Sequence, residues 1–546
     1  MPDFVHGSER RPLEPGQLLF DVAGELAVVV PASCRLTGRC HECVVEIRSG
    51  ADQLTPRTGE EGFLGPAFRL ACQARVGTAD RDVEFTVLRR RLRILLAPDD
   101  MTADRDMDPA VREVDGRVIA DDGTDLGVIG GSPVGVAVDV GTTTVVMELV
   151  DLRTGGVLAI ASIENPQRFG GSDVMTRISY DGEVPGELRL ALRRALNHEL
   201  KRLCAELGIE RRRLVEMILV GNPTMRDLAF GLDVRPIGRL PYRSVSETAW
   251  RDGTAPTTMV SRRAHEVGFL MHPQGRVTGG PLIASHVGAD AAADLVAVDA
   301  VERGGSFLVV DIGTNTEIIA SDGHRLVAAS GPAGPAFEGG GVRYGMPGAD
   351  GAIEVARLVG DRWELGVIGD RVPEGICGSG LVDILAELRR ADRMSSRGGF
   401  GAGMAEVRIA DEPRITLSRA DVGSLAIAKA ATAVGQRVLL RRLGLRPEDL
   451  DRVYLAGGFA NALDIRSAIA IGLLVDVPEE RIIRAGNAAV AGARALLRSR
   501  GRRAALDDLV RRIEHVELES EPDFFDLFTD GCLFEPIAPL EGTRTR

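Results

Sequence analysis

Lysine is nearly missing from this chain of 546 residues. Only Lys201 and Lys429 are present, so arginine supplies the other 64 of the 66 basic residues. Neither lysine follows a Gly-x4-Gly motif, which excludes the phosphate-binding loop of the P-loop proteins. Any nucleotide site in this chain must therefore bind phosphate in another way.

The chain also lacks long hydrophobic runs. No stretch of 18 apolar residues occurs, and residues 1–6 lack the charged and apolar regions of a signal peptide. The net charge of −13 and the pI near 5.3 argue against nucleic acid and against an anionic membrane surface as partners. We therefore expect a cytoplasmic protein that binds neither nucleic acid nor membrane.

Four of the seven cysteines are grouped near the start of the chain. They are spaced Cys34-x5-Cys40-x2-Cys43, with Cys72 after 28 further residues. A [2Fe–2S] cluster needs four thiolates, three from one loop and a fourth from farther along the chain. Gly38 can take a positive φ, which turns backbone N–H groups toward the inorganic sulfurs. We predict that these four cysteines bind a [2Fe–2S] cluster and that the protein transfers electrons.

A zinc site is the main alternative, but zinc ribbons prefer two Cys-x2-Cys pairs and only Cys40 and Cys43 form one. His41 could replace a cysteine as in a Rieske centre, yet four cysteines already complete the set, so we expect it on the surface. Short strands are predicted at 28–30, 43–47 and 83–87. Residues 1 to about 90 resemble an α+β β-grasp ferredoxin of the plant or adrenodoxin type.

A second pattern, a strand, an Asp-x-Gly-Thr turn and another strand, occurs twice. The copies span residues 134–150 and 307–320, and their aspartates, Asp139 and Asp311, are 172 residues apart. In such a turn glycine and threonine offer N–H and hydroxyl donors to phosphate, and the aspartate can hold Mg²⁺ through water. One copy alone is weak evidence, since hairpin turns commonly carry Asp and Gly. Two copies suggest two homologous lobes.

A third element, residues 453–461, is an apolar strand that runs into a double glycine. In this order the three elements resemble the phosphate-1, phosphate-2 and adenosine motifs of the superfamily of acetate and sugar kinases, heat-shock chaperones and actin. The resemblance covers about residues 134–500 and implies a duplicated RNase H-like α/β fold with ATP and Mg²⁺ between its lobes. It implies two catalytic aspartates, Asp139 and Asp311. The other nucleotide-binding residues that it implies are Gly141, Thr142, Thr143, Gly313, Thr314, Asn315, Gly457, Gly458 and Phe459.

These patterns divide the chain into four parts. We predict a ferredoxin-like domain at 1–90, a linker at 91–132, one ATPase lobe at 133–304, and a second lobe with a C-terminal extension at 305–546. The linker has no clear periodicity, so it should hold at most a short helix or hairpin. It acts either as a hinge or as a segment packed on its neighbour.

A ferredoxin ahead of this ATPase fold resembles the reductive activators of corrinoid proteins, which use a [2Fe–2S] domain and ATP to return Co(II) corrinoids to Co(I). Further stretches resemble that family, although each could be a simple turn: 164–167, 171–178, 220–225, 331–333 with 337–340, and 375–380. The stretch before Asp139 is too short for the extra middle domain that some members carry. The resemblance implies a corrinoid protein of a methyltransferase system as partner and a low-potential ferredoxin, flavodoxin or reductase as electron donor. It leaves the oligomeric state open, a homodimer included.

The need for ATP follows from potentials. Plant-type clusters lie near about −400 mV, and the Co(II) to Co(I) step needs a lower potential. For a one-electron transfer, a potential gap of about 59 mV lowers the equilibrium constant tenfold. ATP either drives the reduction or only gates formation of the complex, and both remain open.

Other functions must be weighed against this one. An ATP-dependent activase of a radical dehydratase, or of another low-potential redox enzyme, shares the ATPase fold but holds a [4Fe–4S] cluster between subunits, for which only Cys377 is a candidate. A small-molecule kinase would need a catalytic aspartate over a sugar or acid pocket, which the sequence does not place. A chaperone-like module would bind ATP and a protein client but have no use for a cluster. We expect Cys377 to be a small buried residue, Cys204 to lie in the core of a helix over 187–207, and Cys532 to pack under nearby aromatic residues.

Overall fold

The computed structural model describes residues 2–7, 9–88, 107–458 and 460–538. Phe459, one of the predicted adenosine-site residues, lies outside these ranges. In the described ranges, no helix combines the length and the apolar character needed to cross a membrane.

The N-terminal domain is a five-stranded sheet with one helix packed across it. Its strand order is β2-β1-β5-β3-β4, with β1 parallel to β5 and the other pairs antiparallel. The elements are β1 (Asp3–His6), β2 (Glu9–Pro12), α1 (Leu19–Glu25), β3 (Val44–Ser49), β4 (Phe68–Leu70) and β5 (Val83–Val87). Phe4, Leu19 and Phe85 fill the space between sheet and helix. The predicted β-grasp fold is confirmed.

One predicted strand of this domain is wrong. Residues 28–30 form no strand, because the backbone N–H of Val28 donates to the carbonyl of Ala23 and closes the end of α1. The chain then enters the cysteine loop directly.

The described part of the predicted linker is more ordered than a short hairpin. It forms an antiparallel meander of β6 (Val111–Val114), β7 (Arg117–Ala120) and β8 (Asp125–Gly127). Asp122 pairs with Arg263 at 2.6 Å, and Asp108 pairs with Arg500 at 2.6 Å. Residues 107–132 are therefore packed on the following domain. Residues 91–106 of the predicted linker lie outside the described ranges, and the domain boundaries themselves stay a prediction.

The next part of the chain is built on a six-stranded sheet of order β11-β10-β9-β12-β14-β13. Strands β9 to β11 are antiparallel, and β12 lies parallel to β9. The elements are β9 (Val134–Val140), β10 (Thr144–Asp151), β11 (Val157–Glu164), α2 (Val174–Glu183), α3 (Glu187–Leu207), β12 (Leu214–Val220), α4 (Pro223–Phe230), α5 (Val245–Arg251), β13 (Val260–Arg263), α6 (Ala264–Val267), β14 (Arg276–Gly279), α7 (Ala289–Ala297) and α8 (Ala300–Arg303). We call this unit lobe I.

The C-terminal half repeats the same topology in a sheet of order β24-β23-β15-β16-β17-β25, with β23 parallel to β15. We call this unit lobe II. Its elements are β15 (Phe307–Ile312), β16 (Thr316–Ser321), β17 (Leu326–Gly331), β18 (Ala352–Val359), β19 (Arg362–Val367), β20 (Gly375–Ile376), α9 (Gly378–Arg390), β21 (Glu406–Ala410), β22 (Ile415–Ser418), α10 (Arg419–Leu443), β23 (Arg452–Ala456), α11 (Ile465–Ala470), β24 (Ile482–Gly486), α12 (Ala488–Arg498), α13 (Arg500–Val510), β25 (Ile513–His515) and α14 (Phe524–Gly531). The predicted duplication is confirmed.

The central strands are mostly apolar because helices cover both faces of the sheet. In β9, Val136 and Val138 face the core that contains α3, whereas Ala137 faces the core that contains α7 and α12. Helix α12, although late in sequence, thus packs on lobe I. Its Arg494 forms a buried ion pair with Glu148 of β10 at 2.6 Å. The chain crosses back from lobe II and joins the two lobes.

Candidate functional site

The four predicted cluster cysteines lie together at one end of the ferredoxin sheet. Cys40, Cys43 and Cys72 are buried, and Cys34 is partly exposed. The loop from Cys34 to Cys43 follows α1 and leads into β3, while Cys72 comes just after β4. Gly38 has φ +79°, and a Cβ at this position would lie 3.0 Å from the side chain of Glu60, so glycine suits the position.

The cysteine sulfurs contact one another in two pairs, Cys34 with Cys40 and Cys43 with Cys72. Burial opposes ionisation of Cys34, but hydrogen bonds from Thr37 and Cys40 outweigh it and lower the pKa of this thiol to about 6. The hydrogen bond between Cys43 and Cys72 lowers the pKa of Cys72 to about 7, and the same bond together with burial raises the pKa of Cys43. The thiolate, the form that binds metals, is therefore accessible at neutral pH at Cys34 and Cys72.

This donor set fits a [2Fe–2S] cluster. Four thiolates are required, and these four cysteines would supply them from one end of the ferredoxin sheet. Within the described ranges, no group of three or more His, Cys, Asp or Glu side chains is arranged to hold a single metal ion.

The cysteine loop is packed against lobe I rather than facing solvent on all sides. The His41 ring stacks on Phe63 with centroids 4.0 Å apart, and its Nδ1 lies 2.8 Å from the Glu187 carboxylate at the start of α3. Phe63 in turn contacts Phe169 edge-on, and the Tyr180 hydroxyl donates to the Phe63 carbonyl at 2.6 Å. The expectation that His41 lies on the surface holds only in part, because its side chain is 23% exposed while Phe63 and Glu187 cover the rest.

The predicted nucleotide residues meet in a cleft between the two lobes, with a cavity of about 370 Å³. The turn between β9 and β10 and the turn between β15 and β16 face each other across it. The end of β23 completes the wall. All ten predicted nucleotide and catalytic residues that the structure describes line this cavity: Asp139, Gly141, Thr142, Thr143, Asp311, Gly313, Thr314, Asn315, Gly457 and Gly458.

Two glycines in the cleft are required by close backbone contacts. A Cβ on Gly141 would lie 2.6 Å from the carbonyl oxygen of Thr144. Gly457 has φ +111°, and a Cβ there would lie 2.3 Å from the carbonyl oxygen of Ile312. The turn after β9 and the end of β23 therefore present bare backbone to the cavity.

The cavity is strongly acidic. Its wall contains six carboxylates and, among the described residues, no arginine, lysine or histidine; the carboxylates are Asp139, Asp290, Asp311, Glu317, Glu338 and Glu354. Burial, followed by the charges of Asp290 and Asp311, raises the pKa of Asp139 well above its ordinary value. Burial also raises the pKa of Asp290 to about 7 and that of Asp311 to about 6. A phosphate group can enter this site only together with a cation.

Sequence reasoning missed several residues of the cleft. Asp290 on α7 lines the cavity, and Asp294, one turn later, is fully buried behind it. Their i, i+4 spacing in an otherwise alanine-rich, buried helix is the signal that could have revealed them. Glu317 on β16 and Asn487 before α12 were also missed; Asn487 Nδ2 donates to Asp139 Oδ2 at 3.3 Å.

The raised carboxyl pKa values predict a pH-dependent stability effect. Asp311 has a folded-state pKa of about 6, above its ordinary value of 3.8, so the folded state loses stability as pH rises from about 4 to about 6, and the loss is complete by about pH 7. Asp311→Asn should therefore stabilise the protein more at pH 8 than at pH 5, by a difference of about 1 kcal/mol. The measurement is the melting temperature of both proteins at each pH, with EDTA and without nucleotide.

The control for this experiment is Asp508→Asn, because the Asp508 side chain is 77% exposed on α13. Its melting temperature relative to wild type should not change with pH. An Asp311→Asn variant that shows the same gap at both pH values would contradict the raised pKa.

Cys204 and Cys377, which do not belong to the predicted cluster set, are buried. Cys377 is buried at the start of α9 and lines the cleft, and its Sγ lies 3.3 Å from the Ile353 carbonyl oxygen. Burial raises its pKa, which disfavours the thiolate. Cys204 is buried in the core of α3, whose bounds agree with the predicted helix.

Three family models match the chain. Residues 4–77 match a "2Fe-2S iron-sulfur cluster binding domain", residues 134–302 match the "RACo middle region", and residues 306–539 match the "C-terminal domain of RACo the ASKHA domain". A middle region is therefore present and coincides with lobe I, although the sequence suggests that the stretch before Asp139 is too short for a middle domain.

Characterised relatives agree with these matches. The chain is 30% identical over 427 residues to "Corrinoid activation enzyme RamQ" of Eubacterium limosum, covering 73% of this chain and 70% of the relative. It is 23% identical to "[Co(II) methylated amine-specific corrinoid protein] reductase" of Methanosarcina barkeri, covering 72% and 76%. Among solved structures, "Reductive activator for corrinoid,iron-sulfur protein" aligns with a TM-score of 0.72 at 26% identity, covering 98% of this chain and 99% of that one. The chain belongs to the RACo family of reductive activators of corrinoid proteins, with an N-terminal 2Fe–2S domain and a C-terminal ASKHA domain.

Proposed function

We propose that this protein uses ATP to return the Co(II) corrinoid of a partner protein in a methyltransferase system to Co(I), with the electron coming from a [2Fe–2S] cluster in its own N-terminal domain. The observation that carries the proposal is the packing of the cysteine loop on lobe I, which also supplies one wall of the acidic cleft. The proposed electron-transfer site and the proposed nucleotide site thus both contact lobe I.

At the first site, we propose Cys34, Cys40, Cys43 and Cys72 as the ligands. When bound, the cluster accepts and donates one electron at low potential. Three of the cysteines are buried and exclude water from the site, whereas Cys34 is partly exposed. A redox partner therefore approaches from the Cys34 side of the loop, and we place both the donor, a low-potential ferredoxin, flavodoxin or reductase, and the corrinoid protein there.

At the second site, we propose that Thr142, Thr143, Thr314 and Asn315 donate hydrogen bonds to the phosphates of ATP, with the adenosine against Gly457 and Gly458. The acidic wall, which has no basic side chain among the described residues, supports Mg²⁺ as the accompanying cation, since Mg²⁺ prefers oxygen ligands and is usually bound by one or two carboxylates plus phosphate. We propose that Asp139 and Asp311, each next to the last residue of its strand, hold the hydrated ion.

The competing activase function is not favoured, because its candidate cysteine, Cys377, is buried. A [4Fe–4S] cluster shared between subunits needs exposed thiols, and Cys377 is 4% exposed inside lobe II with a raised pKa. The kinase and chaperone functions leave the cysteine loop unexplained.

The test is an anaerobic assay with a cognate corrinoid protein, a low-potential reductant and MgATP, followed by the visible spectrum of the cobalt. We expect the Co(II) band to be replaced by the Co(I) band only when ATP is present. Equal formation of Co(I) without ATP would overturn the proposal and favour a simple ferredoxin function.

A further inference from the structure

One carboxylate oxygen connects the two phosphate turns of the cleft. Glu338 Oε2 accepts hydrogen bonds from the Thr143 hydroxyl, at 3.0 Å, and from the Thr314 hydroxyl. The two hydroxyl oxygens are 2.8 Å apart. Thr143 belongs to lobe I and Thr314 to lobe II, so Glu338 holds both turns from a third segment.

We propose that Glu338 occupies the position of a phosphate oxygen and that the phosphates of the bound nucleotide displace it. This inference rests on the proposed nucleotide function. A threonine hydroxyl has one hydrogen, so it donates to the carboxylate or to a phosphate but not to both. The carboxylate and the phosphate also repel each other as like charges. Glu338 therefore competes with the nucleotide for the hydroxyls of Thr143 and Thr314. Its carboxylate leaves these hydroxyls when the nucleotide binds.

The segment that carries Glu338 is built to move over a short distance. Glu338 ends a single 3-10 turn, Ala336–Glu338, and Gly339 follows at φ +92°. Further along, the backbone N–H of Arg343 donates to Asp421 at the start of α10 at 2.8 Å, which fixes the far end of the segment. Phe337 and Val342 are buried in the core of lobe II, so displacement of Glu338 is confined to residues 338–341, whose glycines allow the backbone to rearrange.

This segment also forms part of the boundary with the ferredoxin domain. Residues 339–343 line one side of a groove of about 870 Å³, whose other sides are formed by residues 62–65 of the ferredoxin domain and 168–172 of lobe I. Phe63, in the ferredoxin wall, stacks on His41 of the cysteine loop. A change at Glu338 therefore alters the wall that faces residues 62–65 of the ferredoxin domain, and Phe63 connects these residues to the cysteine loop.

The lobe I side of the same groove is tied to the first phosphate turn. The fully buried guanidinium of Arg177 donates to the Thr142 carbonyl at 2.6 Å and to the Gly171 carbonyl at 3.0 Å. Both walls that face the ferredoxin domain are thus connected to a phosphate turn, one through Glu338 and one through Arg177. Nucleotide binding in the cleft therefore changes both walls of the groove that face the ferredoxin domain.

The test compares the affinity of MgATP for wild type, Glu338→Gln and Glu338→Ala by isothermal titration calorimetry. Removing the competing carboxylate should tighten ATP binding, by about tenfold for Glu338→Ala, the equivalent of one charge-assisted hydrogen bond. Glu338→Gln should show a smaller gain, because its amide oxygen still accepts from the threonines. Glu364→Gln on β19, which removes one exposed carboxylate from the same lobe, is the matched control and should bind ATP like wild type.

Hydrogen–deuterium exchange provides the second measurement. In wild type, MgATP should increase exchange in residues 339–341 and change exchange in residues 62–65. In Glu338→Ala the increase should be present before ATP is added. Unchanged or weaker ATP binding in both variants, or the same ATP-induced exchange in Glu338→Ala as in wild type, would overturn this inference. A wild-type protein that binds no ATP would instead overturn the proposed function on which it rests.

Discussion

Replacing Cys43 with serine is expected to remove the iron and the corrinoid-reducing activity together. Wild type should contain about two iron and two sulfide per chain, and the variant almost none. Cys43 is fully buried beside Cys72, so serine at this position removes one of the four thiolates that the cluster needs. Iron and sulfide analysis, with electron paramagnetic resonance of the reduced protein, measures the loss.

The control is Cys204→Ser, which changes a buried cysteine of α3 to the same residue. This variant should keep its full iron content. Stoichiometric zinc in the wild type, or an unchanged reduced spectrum in Cys43→Ser, would show that these cysteines do not hold a [2Fe–2S] cluster.

A second large effect is expected in the cleft. Asp139→Ala and Asp311→Ala should each lower the rate of ATP hydrolysis by about 10² to 10³, the range found when one group that stabilises transition-state charge is removed. Neither variant should unfold at a lower temperature, because burial among other carboxylates already disfavours both charges in the folded state. The measurements are phosphate release under saturating MgATP and the melting temperature of each variant.

Asp508→Ala, on the exposed side of α13, is the matched control and should hydrolyse ATP at the wild-type rate. Wild-type activity in both cleft variants would mean that the two Asp-x-Gly-Thr turns have been misinterpreted. A parallel loss of activity and melting temperature would assign them a structural role instead.

Much of the site could be predicted because its signals are local in sequence. Cys34, Cys40 and Cys43 share one loop. Each phosphate turn is a single hairpin whose glycine and threonine residues indicate phosphate binding. The duplication was visible because β9 and β15 are each an apolar run that ends in the same Asp-x-Gly-Thr turn, as expected of buried central strands that lead into a site.

Other parts depend on contacts between distant residues and could not be predicted this way. Asn487 reaches Asp139 only because α12 crosses back onto lobe I. His41 is partly covered because the ferredoxin domain docks on α3, which no local pattern of the cysteine loop indicates. Glu338 lies in the stretch 337–340 that resembles the family, but its bonds to Thr143 and Thr314 follow from the closed arrangement of two lobes and a third segment.

The central claim is that the electron of this protein's own cluster goes to cobalt under the control of ATP. The most direct test mixes the pre-reduced protein, freed of other reductants, with a Co(II) corrinoid protein and records the cluster and cobalt absorbance together. With MgATP, we predict that one Co(I) forms for each cluster oxidised, and that almost none forms without it. Co(I) formation at the same rate and yield without ATP, or Co(I) formation while the cluster stays reduced, would contradict the account.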